Sequence, residues 1–241
     1  MKKLLPLAAI FVVAACNSFS TDTYQDELMM SLADGAQDSL YLSIGIEYPV
    51  NGMDAAAIAA MTETIAAQAF DLEVPASSLE ESAIRYREDL IDEYLSENEA
   101  SEGMRSWEDR LSGYFNGDFK NWKNYLFTYY SFRGGAHGLQ TLTNIVFDRK
   151  TGAQVHEADL FAPGYQEPVS KMLRAAVKAS FSPEDSDLAE LVNYDGIFPN
   201  DNFSVSPQGV QWTFQPYEAG PYALGIITAT ISWDELKPWL Q

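Results

Sequence analysis

Two strand-like runs that meet at a glycine–histidine corner constrain this chain more than any other feature. Trp122, Tyr125, Phe127, Tyr129, Tyr130 and Phe132 crowd a β-type run that stops at Arg133-Gly134-Gly135-Ala136-His137-Gly138. A second run follows with a two-residue period: Leu142, Asn144 and Val146 on one side, Thr141, Thr143, Ile145 and Phe147 on the other. That period marks a half-buried strand. Glycines between two such runs relieve backbone constraint or let other groups approach closely. Asp148-Arg149-Lys150-Thr151-Gly152 reads as a hairpin turn, and Asn116-Gly117-Asp118 as another.

Other elements flank these hairpins. Leu40, Leu42, Ile44, Ile46 and Tyr48 alternate as in a strand that Pro49 ends or marks as an edge. The spacing of Ile58, Met61, Ile65 and Phe70 predicts a helix over residues 54–71, and a second follows Ser77-Ser78 to about Asn98. Further helices are expected over residues 166–181, from Ser182-Pro183 to about Tyr194, and over residues 233–240. A hairpin joins Phe203–Ser206 to Val210–Gln215, and the apolar, β-branched run from Gly225 to Ile231 predicts a central strand. Hairpins outnumber helical crossovers, so the fold class is α+β: a mostly antiparallel sheet packed against several helices.

The front of the chain sets its compartment. Lys2-Lys3 and a short apolar run lead to Val13-Ala14-Ala15-Cys16. This has the order of a secretory signal, residues 1–15, and resembles a bacterial lipobox with Cys16 as the acylated residue. The run is too short to span a bilayer. Residues 16–39, polar and rich in Ser, Thr, Asp and Gln, read as a tether. Cys16 is the one cysteine in the sequence, so an exported chain has no internal disulfide and must rely on its core. The expected location is the cell envelope, lipid-anchored on the periplasmic side, with the outer membrane favoured because Asn17, not Asp, follows the cysteine.

Charge excludes one large class of partner. Fifteen Lys and Arg stand against 35 Asp and Glu, a formal charge of −20. Such a surface repels nucleic acid and attracts cations. The acidic residues of the second helix read as a solvated face. Catalytic chemistry is sparsely provisioned. Two histidines, His137 and His156, and a cysteine committed to lipid do not make a zinc site, and no nucleophile elbow or phosphate loop is present. No metal or cofactor is expected. His137 is the one candidate acid–base group, with Glu218 or Asp148 as partner. The competing reading is a histidine that satisfies buried backbone groups and fixes the bend. Tyr217 and Tyr222 either expose a stacking surface for sugar or peptide, or cover the sheet.

The corner and its surroundings carry a family resemblance. Tyr130 through Gly138, then Asn144, Phe147-Asp148, Thr151-Gly152 and Asp159-Leu160-Phe161, resemble the RsiV-like domain family. Asn202-Phe203, Gly209, Phe214, Pro216-Tyr217-Glu218, Tyr222-Ala223, Gly225 and Leu236 fit it downstream. Tyr48-Pro49 and the helices after it are similar to the N-terminal domain of PdaC-type deacetylases. The resemblance implies a PdaC-type α+β subdomain over residues 40–120 and an RsiV-like α+β domain over residues 121–241. It also implies capture of a wall-associated, lysozyme-like protein or of peptidoglycan glycan, without catalysis. Candidate ligand-binding residues are Arg133, Gly134, Gly135, His137, Tyr217, Glu218 and Tyr222. The alternatives are an envelope hydrolase using His137 with Glu218 or Asp148, and an inhibitor whose acidic surface blocks a basic enzyme.

Overall fold

The computed structural model describes residues 18–31, 39–72, 76–100 and 105–241. Cys16 and the segment read as a signal lie outside the described residues. The fold is α+β. Six strands form one sheet in the order β1 (Ser20–Met30), β2 (Leu40–Asn51), β3 (Trp107–Phe119), β4 (Trp122–Phe132), β5 (Leu139–Asp148) and β6 (Gln154–Val155). A second sheet holds β7 (Phe203–Ser206), β8 (Gly209–Phe214) and β9 (Ile227–Ser232). Every pairing is antiparallel except β2 with β3. Their parallel crossover is made by α1 (Ala55–Phe70) and α2 (Leu79–Ala100), which have the length such a connection needs.

The helical crossover covers one face of the large sheet. Leu40, Leu42, Ile44 and Ile46 of β2 point inward with Met61, Ile65 and Phe70 of α1, Leu90 and Tyr94 of α2, and Tyr125 and Phe127 of β4. The opposite face is covered at one end only. There Val146 joins a second core built from Val169, Leu173 and Val177 of α4 (Gln166–Ser180) and Trp212, Phe214 and Ile231 of the small sheet. Asn124 welds the two sheets: its amide donates to the Val205 carbonyl and accepts from the Val205 N–H. The expected boundary near residue 120 therefore falls in the turn of a hairpin, β3–β4, whose two strands share one sheet.

Several expectations are corrected. Residues read as tether form β1, which pairs along its whole length with β2. Asn116-Gly117 is a bulge in β3 rather than the turn; the turn is Lys120-Asn121, with Phe119 paired to Trp122. Both rings stack on Trp233, and that packing carries the hairpin two residues further. β9 is an edge strand, with β8 in the middle. Its Thr228 and Thr230 face solvent, so its apolar run is buried on one face. The helix expected from Ser182 shortens to a 3-10 turn, Pro183–Asp185, and α5 (Ser186–Ala189). Pro49 lies inside β2, opposite Thr21 of β1 but beyond the pairing with β3, which ends at Ile46, so no bond to β3 is lost.

Candidate functional site

The corner between β4 and β5 brings His137 to the surface beside the connection between β8 and β9. Its ring stacks on Tyr222, with centroids 3.9 Å apart and planes 19° from parallel. Tyr222 lies 6.0 Å from Tyr217. The three rings form an exposed aromatic strip: Tyr217 is 60% accessible, and Tyr222 and His137 are also exposed. Tyr217 holds φ = +72°, a conformation that opposes its Cβ. The strip replaces the expected buried histidine: His137 contacts the Gly138 carbonyl through Nδ1 at 3.0 Å, but the ring stays in solvent.

The other sequence-predicted residues have different work. Arg133 turns inward to the side-chain carboxylate of Asp109, which is fully buried, and its Nη2 donates at 2.8 Å. Asp109 also accepts from the Tyr86 hydroxyl at 2.6 Å, and the guanidinium lies 4.6 Å from the Trp107 ring centroid. Burial opposes the charge on Arg133, but the hydrogen bond and charge of Asp109 outweigh it and hold the guanidinium above its ordinary pKa. Burial and then Asp109 push the Tyr86 phenol up. Arg133 thus anchors the corner from within, through the buried Asp109. Gly134, at φ = +74°, lies against the Arg105 side chain, where a Cβ has no room, and Gly135 is exposed.

Glu218 accepts from the Gln215 N–H at 2.8 Å and the Asn200 amide at 2.7 Å, so it shapes the loop that carries Tyr217. Asp148 accepts from the N–H groups of Lys150 and Thr151, the Thr151 hydroxyl and the Asn121 amide. Burial alone would raise its pKa; the hydrogen bonds from Thr151, Lys150 and Asn121 outweigh that and hold the carboxyl below the usual range. Among the described residues no hydrogen bond joins His137 to Glu218 or Asp148, so the structure does not assemble the expected acid–base pair. No group of three or more His, Cys, Asp and Glu converges among the described residues as a metal would require.

Sequence reasoning missed two buried carboxylates. Asp109 sits between Trp107 and Leu111 on the inward face of β3, and that alternation is the signal for it. Glu157, 4% accessible, accepts from Trp212 Nε1 at 2.6 Å, the Tyr165 hydroxyl at 2.7 Å and the Asp201 N–H at 2.9 Å. His156 pairs with Asp201 beside it. These bonds satisfy Glu157 within the second core and tie α3 (Glu157–Leu160) to β8.

Residues 158–234 match the family model described as "Protein of unknown function (DUF3298)". The matched stretch contains Tyr217, Glu218 and Tyr222, together with α4 and the small sheet, while His137 lies outside it. No curated protein matches the chain. Among solved structures, a DUF3298 family member from Bacteroides fragilis superposes with a TM-score of 0.80 at 20% identity, covering 94% of this chain and 95% of that one. A DUF3298 family protein from Pseudomonas aeruginosa gives 0.68 at 15% identity, covering 94% and 96%. At these identities the likeness is one of fold, and it extends over both sheets.

Proposed function

We propose that this protein is a non-catalytic, lipid-anchored receptor of the cell envelope that captures a cationic, wall-associated protein of lysozyme type. The observation that carries the reading is the His137–Tyr222–Tyr217 strip, exposed and strained, with the neighbouring carboxylates engaged in their own loops. Tyrosines in such a setting offer large, rigid contact area at low entropic cost and are enriched among residues that dominate interfaces. The formal charge of −20 supports a basic partner by raising the encounter rate. The RsiV-like resemblance through Gly134 to Gly138 and Pro216 to Glu218, and the PdaC-type likeness upstream, support the same reading. Acylation at Cys16 would supply the anchor, with the outer membrane as its expected site; among the described residues no helix is long and apolar enough to cross a membrane.

The test is titration of the full-length protein with lysozyme at low salt. Saturable binding is expected, weakened about ten- to a hundredfold by the Tyr217→Ala, Tyr222→Ala double variant. Absence of binding at low salt, or binding indifferent to the double variant, overturns the reading.

A further inference from the structure

Small side chains leave room where α1 gives way to α2. Ala59, Thr62, Glu63, Ala66 and Ala67 recur at helical spacing and so share one stripe of α1. The alanines end at Cβ, and the stripe becomes one wall of a cleft of about 850 Å³. Tyr24 of β1 and Tyr48 of β2 also line it, as do Leu72 and Leu79 at the junction of the helices. Tyr24, Tyr48, Ala66 and Leu72 are half-buried against the core beneath α1, and Leu79 belongs to that core. A cleft of this size falls within the range of small-molecule sites, about 300–1,000 Å³.

Its charge has one sign. The ionised side chains that line it are Glu63, Asp71 and Glu80. Among the described residues none of the three enters an ion pair. The arginines of α2 are engaged elsewhere: Arg85 pairs with Glu81, and Arg87 with Asp26 of β1. The C-terminal end of α1 lies here too, with its partial negative charge and no basic residue in the last turn. Both phenols register the field. Burial first and Asp26 second raise the Tyr24 pKa; Arg87 lowers it, and Glu80 raises it again. Burial, then Asp22, then Glu80 raise that of Tyr48. Glu80 thus stands within electrostatic reach of both rings.

An inorganic ion finds no ligand set here, because no group of three or more His, Cys, Asp and Glu converges among the described residues. A cation with an apolar body matches what is present. Aromatic rings and carboxylates take an ammonium group, and the alanines and leucines take the body.

We infer that the cleft between α1, α2 and the first two strands binds a small organic cation, an ammonium carried on an aryl or alkyl body. The probes share one body and differ in the head: phenylbutylamine, phenylbutanol and phenylbutyrate, each titrated into the full-length protein by calorimetry at low salt. The amine binds saturably, the alcohol at least about tenfold more weakly, and the acid not at all. Added salt weakens the amine. Glu80→Gln, at an exposed position, weakens it about tenfold. Ala67→Leu, also exposed and on a helix that leucine suits, adds bulk to the cleft wall and abolishes binding while far-UV circular dichroism stays unchanged. The Tyr217→Ala, Tyr222→Ala double variant binds the amine as the parent does, which separates this cleft from the lysozyme reading. No saturable binding of the amine, equal binding of amine and alcohol, or affinity unaffected by either cleft variant overturns the inference. So does loss of amine binding in the double variant, which would assign the amine to the aromatic strip.

Discussion

Tyr217 concentrates the relation between strain and use in one residue. Its φ of +72° is left-handed, and a side chain there costs about 1 kcal/mol relative to glycine. Tyr217→Gly is therefore expected to stabilise the fold by about 1 kcal/mol in denaturant titration, while weakening capture of the lysozyme-type partner. A variant that loses stability instead would place the ring in a packing role. Asp148 carries the pH dependence at this scale. Its carboxyl is depressed in the folded state, so its contribution is complete above the ordinary aspartate range near about 3.9. It disappears as pH falls through the lower folded value. Asp148→Ala is expected to cost about 1 kcal/mol at neutral pH, a modest figure because the turn is on the surface. Thermal unfolding of both proteins should show that difference closing on acidification.

Elements meet where backbone approaches backbone. Gly152, at φ = +73° in the β5–β6 turn, faces the Ala57 carbonyl of α1, and a Cβ there would overlap it. Gly152→Ala is expected to lower stability by more than about 2 kcal/mol in urea unfolding, combining strain with displacement of the helix. The turn, its glycine and the strands around it were all readable from local pattern, as were α1 and α2 from their apolar spacing. Contacts across sequence distance were not. Nothing in Ser20–Met30 announces a strand by composition, because as an edge it half-buries only Tyr24, Asp26, Leu28 and Met30 on the helix side. Its pairing with β2 is what makes it one. Gln215 read as the end of a hairpin strand and Asn202 only as part of the resemblance; in the structure both bond the Leu142 carbonyl, and Asn202 also accepts from the Asn144 N–H. They close the free edge of β5 with side-chain amides. At the corner, sequence pattern located His137 and the tyrosines but gave them separate fates, since a stack of residues 137 and 222 depends on how two sheets pack. Arg133 looked available because its partner, Asp109, lies 24 positions earlier.

For the whole molecule, charge and shape divide the labour. Anionic character spread over the surface acts at a distance and fades with salt, so lysozyme association should slow as ionic strength rises, mainly through the on-rate. The two sheets are joined by Asn124 of β4, which bonds Val205 of β7 in both directions. The early start of β1 bears on orientation. With acyl chains on Cys16, four peptide units separate the lipid from Ser20, a reach of at most about 14 Å. That is a short leash: with that anchor, the start of β1 would stay within this distance of the bilayer, and whatever the protein gathers would have to come down to the membrane to be met.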